Sequence, residues 1–552
     1  MKSAFRTSMT WLHRWAGIVF SALMFFIFVT GTLGYFHFEL DRWLKPERPL
    51  AMSLPTTFTP SPELSVFRIP TDRAPTDKGP RTISTAELIR LGVQRLKEQA
   101  PDDAIWWGII LPTERNGNFW VEWQPPRGED GQRPEREAQY LDLSREEPLW
   151  VQPRQTGGGE ALYRLHWRLH YLPDIAAYWI VGLCSLLMLV GLVTGVIIHR
   201  RIFREFFTLR LYRGARSWLD FHNLSSVLAL PFQIMIVYSG LLFFALTFME
   251  PIVSARYGDE GVRVFQHEAF PDDEPEPRAG EPAESVPILP LLTLAQRESG
   301  QRIVQIYILY PGDISARLSF YLPEPSPAEY QGKPHRIMYR ASTGERLEGG
   351  TQQYGGAASV EKTLIALHEG LFADWPLRWL YILCSLLGIL MIATGILFWL
   401  KKRRSRDPTA YATVERFYAA VLVGLPTAIA LYFLANRLLP AHWPARADWE
   451  MHSLFLGWLA LGLYASWCPL HAVWKTQLTF AALAWGSVPV VNALTSDRHL
   501  GVSLAAGDWV LAGVDLSALV MALSFGLMAR HGSRRSVMAT ESRRQNLEEV
   551  SC

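Results

Sequence analysis

The chain has 552 residues and a formal net charge of only +2, so its charge balance gives no argument for a nucleic-acid partner. Its apolar residues, 49% of the total, gather in runs of about 20, enough to cross ~30 Å of hydrocarbon, which excludes an ordinary soluble domain. None of the four cysteines falls in the long hydrophilic segments, which excludes a disulfide framework there.

In chain order the apolar runs lie at roughly 15–36, 176–198, 224–249, 377–400, 413–435, 451–474, 477–496 and 508–529, predicting eight spans. The first span closes residues 1–37, and a hydrophilic segment fills 38–170. A second span region follows at 171–200, a basic loop at 201–217, and a third span at 218–249. The second hydrophilic segment is 250–370, and the fourth span lies at 371–400. A basic linker, 401–411, leads to an extension with four further spans, 412–530, and a tail, 531–552. The first run is too long for the apolar part of a secretory signal and lacks a small-x-small cleavage site, so it reads as an uncleaved anchor.

Basic residues set the expected orientation. Lys2, Arg6 and Arg14 precede or open the first span; Arg200, Arg201, Arg204, Arg210, Arg213 and Arg216 fill the loop after the second. Lys401, Lys402, Arg403, Arg404 and Arg406 follow the fourth, and Arg530, Arg534 and Arg535 follow the eighth. By the positive-inside rule these ends, and both termini, are cytoplasmic, and the two hydrophilic segments lie outside, in a bacterial periplasm. Each segment reads as a helix followed by a small antiparallel sheet. Thr85–Glu98 precedes alternating stretches at 104–111, 118–124 and 138–143; Pro290–Glu298 precedes 303–310, 314–322 and 336–339. Stretches 125–137 and 271–287 read as loops.

The chain is thus written twice. His13 opens a run that reaches Thr30-Gly31, and His222 opens one that reaches Ser239-Gly240, 18 residues from histidine to glycine in both. Leu165-His166 precedes Cys184-Ser185 and Thr194-Gly195, as Leu367-His368 precedes Cys384-Ser385 and Thr394-Gly395. A parallel duplication implies a pseudo-two-fold axis along the membrane normal, with His13 opposite His222 near the inner surface and the His166 region opposite His368 near the outer one. Histidines paired across a helical bundle suit the axial ligands of a haem. The absence of C-x-x-C-H makes such a haem noncovalent.

His13 with His222 is the preferred inner pair, with His199 as the alternative; His368 with His170 is preferred outside, with His166 as the alternative and His37 on the same side. Arg14, Arg164, Arg168, Arg200 and Arg201 flank these positions and suit porphyrin carboxylates, or are plain membrane-flank basicity. Trp15, Trp107, Trp167 and Trp179 are candidates for stacking or interface anchoring. Gly17, Gly31, Gly195, Gly240 and Gly395 leave room for a flat macrocycle or for close helix packing, and Cys184 and Cys384 read as small packing residues. His442, His452 and His471 read as boundary residues of the extension. The competing reading of the whole set is half-solvated interfacial histidines, or a directly bound iron or copper ion. The inner and outer rings are about 30 Å apart along the helices.

Several motifs carry a family resemblance: Leu12-His13-Arg14-Trp15-Ala16-Gly17, Leu165-His166-Trp167-Arg168-Leu169-His170-Tyr171, His199-Arg200-Arg201-Ile202-Phe203, Ser217-Trp218-Leu219-Asp220-Phe221-His222-Asn223 and Leu367-His368-Glu369-Gly370. Over about residues 1–405 the chain resembles the PepSY-associated transmembrane family of iron-regulated inner-membrane proteins, which includes ferric-siderophore reductases. The resemblance implies a membrane all-α core with periplasmic α+β modules of PepSY type. It also implies a four-helix bundle with two b-type haems that passes electrons outward to a ferric siderophore. No G-x-G-x-x-G fingerprint is present, so the donor is expected to be a membrane quinol or a partner protein. The rival expectations are a siderophore or iron permease, against which polar residues in the last four spans look sparse, and a regulatory membrane protein whose modules bind a peptide or protease.

Overall fold

The computed structural model describes residues 3–55, 57–70, 81–128, 134–145, 147–199, 201–211, 213–258, 260–269, 276–323, 336–347, 356–404 and 408–550. It divides into two compact units. One is helical: Met1–Pro46, Gln155–Thr247 and Asp374–Cys552. The other carries the sheets: Glu47–Arg154 and Phe248–Ala373. The hydrophilic segments therefore give up their flanks, 38–46 and 155–170, to the helical unit.

The helices begin with α1 (Ser3–Gly34), α2 (His37–Leu44), α3 (Thr85–Gln99), α4 (Gly158–Arg164), α5 (Asp174–Ile198) and α6 (Ile202–Glu205). They continue with α7 (Ala215–Leu228), α8 (Leu230–Leu242), α9 (Ala245–Tyr257), α10 (Gly261–Ala269), α11 (Ile288–Ser299) and α12 (Gly356–Glu369). The last are α13 (Trp375–Arg403), α14 (Pro408–Ala419), α15 (Leu425–Leu438), α16 (Arg446–Trp467), α17 (Val473–Thr495), α18 (Leu500–Ala505) and α19 (Trp509–Val550).

Among the described residues six helical stretches are long and apolar enough to cross a membrane, or seven if a bent pair counts as one, where the sequence predicts eight. The bent pair is α7–α8, which turns by 70° at Ala229. Pro231, in the first turn of α8, cannot donate a backbone hydrogen bond, and a helix loses its ladder at such a point. The other shortfall is α16. Arg446, Asp448 and Glu450 occupy its first turns, and Pro469 breaks the run expected at 451–474. In the extension the stretch Thr409–Leu438 is 83% buried over its most apolar window, so it forms the centre of the last helices rather than a lipid-facing wall. Within it Ala420–Gly424 is a π-helical turn. That turn frees the Ala420 carbonyl to accept the Trp458 indole N–H at 2.8 Å, and the Trp458 ring stacks on Phe26 of α1 at 5.8 Å.

The sheet unit corrects one expectation. Instead of two small sheets, strands from both hydrophilic segments join one antiparallel sheet. Its strands are β3 (Trp106–Ile110), β4 (Trp120–Gln124), β5 (Glu137–Asp142), β6 (Leu149–Val151), β7 (Gln305–Leu309), β8 (Arg317–Tyr321) and β9 (Arg336–Arg340), in the order β6-β5-β4-β3-β7-β8-β9. The shorter β1 (Val66–Arg68) and β2 (Thr82–Ser84) pair separately. The two copies meet where β3 pairs with β7, with Gly108 opposite Tyr307. A side chain at 108 would lie 2.8 Å from the Tyr307 ring, so glycine lets the copies close into one sheet. Helix α3 starts with a capping box: Ser84 accepts from the Glu87 N–H at 3.1 Å. Leu88, Ile89 and Leu96 from α3, and Leu292 and Ala295 from α11, fill a core with Ile109, Val121, Trp123, Ile306 and Phe320.

Candidate cofactor site

Within the helical unit α1 packs on α5 and α7 packs on α13, the two repeat-related pairs. Each pair seats one histidine in the same way. The His13 ring lies against Gly195, where a Cβ would be 3.3 Å from its Cε1. Its Nδ1 faces the Gly191 carbonyl at 2.9 Å and the Thr194 hydroxyl at 3.2 Å. The His222 ring lies against Gly395, where a Cβ would be 3.1 Å from Nδ1, and that Nδ1 faces the Met391 carbonyl at 2.8 Å. Glycine makes the dent, and the carbonyl four residues earlier receives the ring N–H. A carbonyl oxygen only accepts, so each ring carries its proton on Nδ1 and keeps the Nε2 lone pair free. Thr194 and Thr394 also bond their own helix, at Val190 and Leu390, as repeat-related residues should.

The two ring centres are 6.3 Å apart, with planes at 69°. Two imidazoles sharing one metal ion through bonds of about 2 Å would have centres roughly 6 Å apart. Around them is a cavity of about 660 Å³, within the ~300–1,000 Å³ range of cofactor pockets. Its wall includes Gly17, Met24, Met188, Leu192, Ile392 and Trp399. Arg14, Lys402, Arg403 and His199 also line it. Three cations at one pocket suit a group that carries carboxylates. The donor set, the spacing and the polarity fit a bis-histidine haem.

His199 lines the cavity but is not seated like the other two. It follows α5 directly, and its Nε2 lies 3.3 Å from the Asn223 amide nitrogen. Asn223, beside His222, went unassigned in the sequence, as did Tyr418 from the extension. The Tyr418 hydroxyl meets Ser21 at 2.8 Å, and both residues line the cavity.

His166, just after α4, shows the third instance of the same seat. Its Nδ1 meets the Ile27 carbonyl of α1 at 2.8 Å, and a Cβ at Gly31 would lie 2.6 Å from that nitrogen. His170 is placed otherwise: its ring stacks on Phe455 at 5.8 Å. His166 thus shares the glycine and carbonyl seat of His13 and His222, and His170 does not. His37 bonds the Gly34 carbonyl at 2.6 Å and stacks on Tyr163. His368 lies in the last turn of α12, in the sheet unit. Arg168 is engaged with Asp174 at 2.5 Å, and Arg164 with Glu160 at 3.0 Å. Arg200 lies outside the described residues. Trp107 packs against the core of the sheet unit, while Trp15 and Trp179 are exposed. Cys184 is buried and unpaired.

One side chain in this bundle has no partner. Gln233 of α8 is wholly buried, and among the described residues neither amide atom finds a hydrogen bond. The polar residues of the last helices look sparse in the sequence, yet Asn436, Arg437, Arg446, Glu450, Gln477, Asn492 and Asp515 are all buried. His452 there bonds the Tyr171 hydroxyl at 2.8 Å.

The chain is 27% identical over 366 residues to the uncharacterized protein PA4219 of Pseudomonas aeruginosa, covering 64% of this chain and 89% of that protein. The family model described as the PepSY-associated TM region matches residues 10–402, from just before His13 to the end of α13. The chain is a multi-pass membrane protein that belongs to the PepSY-associated transmembrane family.

Proposed function

We propose that the chain is an inner-membrane b-type dihaem oxidoreductase that delivers electrons to a periplasmic ferric siderophore. The observation that carries this reading is the pair His13 and His222. Their ring centres are 6.3 Å apart, and both Nδ1 atoms are tied to backbone carbonyls at the edge of a cavity with three cations. Bound there, a haem would supply one-electron transfer, and His13 and His222 are the residues that would hold it. Gly195 and Gly395 admit the rings, and Arg14, Lys402 and Arg403 meet the carboxylates. For a second haem the sequence repeat offers His368 as the counterpart of His166.

Ferrous iron binds hard oxygen ligands more weakly than ferric iron, so reduction of the chelate releases the metal. A quinol or a partner protein supplies the electrons. The basic loops support cytoplasmic termini and a periplasmic sheet unit. A permease reading gains nothing from the buried charges of the extension, because they bond one another and neighbouring backbone.

The test is an oxidised-minus-reduced visible spectrum of the detergent-purified protein with pyridine haemochrome quantitation. A low-spin b-type signal near two haems per chain is expected. Protein that is haem-free when taken from haem-replete membranes sinks the reading.

A further inference from the structure

The last helices bury four ionisable side chains, Arg437, Arg446, Glu450 and Asp515, each at most 5% exposed. Such groups cost several kcal/mol each when buried without partners, so where their bonds go is informative. Arg437 lies over the Trp43 ring at 3.8 Å, donates to the Trp43 carbonyl, and reaches Asn492 at 2.8 Å. Asp515 accepts from the Trp43 indole N–H at 3.1 Å and from Asn492 at 3.0 Å. Arg446 donates to the Gln155 carbonyl at 2.9 Å and to Glu450. Glu450 bonds the Thr156 hydroxyl, which also accepts from Asn436 at 3.1 Å and from the Gly158 N–H at 3.0 Å.

Each charged group thus leads to one of two places: Trp43 in α2, or residues 155–158 at the start of α4. These two elements are pressed together. Gly158 has φ +64°, and a Cβ there would lie 2.0 Å from the Asp41 carboxylate. A Cβ at Gly159 would lie 2.1 Å from the His37 carbonyl. Only glycine permits that approach. Two residues beyond α4 comes His166, with its ring on Gly31 and its Nδ1 on the Ile27 carbonyl.

We propose that the buried polar cluster of the last helices is a clamp that positions His166. By gripping Trp43 and residues 155–158 it fixes α2 against α4, and so holds the imidazole in its seat on α1. Arg437, Asp515, Glu450 and Thr156 are positioning residues. Their importance for electron transfer rests on the haem reading above, while the clamp itself is a matter of geometry.

The test uses full-length detergent-purified protein carrying Arg437→Gln or Thr156→Val. Carbethoxylation of each histidine by diethyl pyrocarbonate is followed by peptide mass spectrometry, with His13 of the same molecule as the internal reference. The expected result is His166 reacting about tenfold faster in both variants while His13 and His222 keep their rates. In haem-loaded protein one of two redox components should also shift by about tenfold in its oxidised-to-reduced ratio, ~59 mV for one electron. Unchanged His166 reactivity overturns the clamp, and so does equal acceleration of all three histidines. If Arg437→Gln does not fold, Thr156→Val decides, because it removes only one hydroxyl. A haem-free wild type would overturn the haem reading, and the His166-to-His13 ratio would still decide the clamp.

Discussion

Replacing Gly31 by alanine puts a methyl carbon 2.6 Å from His166 Nδ1 and 2.7 Å from Cε1. Ordinary contact begins near 3.4 Å, so the ring must back away by about 0.8 Å. The same change at Gly395 leaves a shortfall of about 0.3 Å against His222, and at Gly195 only about 0.1 Å against His13. Metal–nitrogen bonds tolerate deviations of about 0.2 Å, so the first displacement breaks a ligand position, the second strains it, and the third is absorbed. Loss of a ligand's orienting contacts typically costs about 10–100-fold in affinity. Opposing this, alanine in a helix is about 1 kcal/mol more favourable than glycine, which offsets part of the strain at Gly31 and all of it where the shortfall is small. The expected order of haem loss is Gly31→Ala, then Gly395→Ala, then Gly195→Ala, with Gly31→Ala removing one of two components in a pyridine haemochrome assay. An equal response from all three, or full retention by Gly31→Ala, would refute the claim that these glycines seat the ligands.

Other expectations follow from single contacts. On the dihaem reading His222→Ala should abolish the component that His13 shares, whereas His170→Ala, which loses ring contacts with Phe455 and Tyr171, should leave both components in place by visible redox titration. Gln233→Met removes a buried amide with two unpartnered atoms, each worth about 1–3 kcal/mol, so the thermal midpoint should rise; a fall means that a group from outside the chain meets the amide. In the sheet unit the Asp313 carboxyl is held down to about 2, chiefly by the Ser315 hydroxyl and with it the N–H groups of Ser315, Gly280 and Ala279. An ordinary aspartate titrates near 3.9. Asp313 therefore stabilises its loop fully above about pH 4, and that support is lost as the pH falls toward 2. Amide exchange at Ala279 and Gly280, corrected for intrinsic rate, should accelerate through that window, and Asp313→Asn should remove the acceleration.

The helix-end histidines were legible because duplication repeats them ahead of four Thr-Gly or Ser-Gly pairs, at the same distance for His13 and His222 and within two residues for His166 and His368. What those pairs do was not legible. In the sequence the glycines suggest space for a macrocycle; in the folded chain Gly31, Gly195 and Gly395 are dents for imidazole rings on the neighbouring helix. The difference matters because a backbone carbonyl four residues before each glycine, invisible in composition, fixes the ring's proton. The different surroundings of His166 and His170 likewise needed the third dimension, since both lie just outside the second span. The single sheet was hidden for another reason. Strand alternation fixes which residues face the core, but the β3–β7 pairing joins segments almost 200 residues apart and depends on Gly108. The extension deceived most, because residues such as Asn436, Arg437, Arg446, Glu450, Gln477, Asn492 and Asp515 look few among apolar helices until they are found buried.

A parallel duplication makes the two halves around the membrane normal alike, so each half offers one histidine to each end of the bundle. The structure departs from the repeat at three points. The first span is one straight helix, α1, where its counterpart is bent by 70° at α7–α8. The position equivalent to Met24 is Gln233, which brings an unpartnered amide into one half only. The last helices contact α1, α2 and α13, and their charged cluster ends on Trp43 and Thr156, both within the first repeat. The bend and the amide fall in the second half, and the bonds of the charged cluster fall in the first. Burial, hydrogen bonding and ligand orientation are the quantities that set the potential of an iron site. Two seats built from one repeated sequence therefore acquire different surroundings without any change in the histidines themselves. On the dihaem reading, the extension sets the two halves apart, because it bonds Trp43 and Thr156 of the first repeat and reaches the inner cavity through Tyr418.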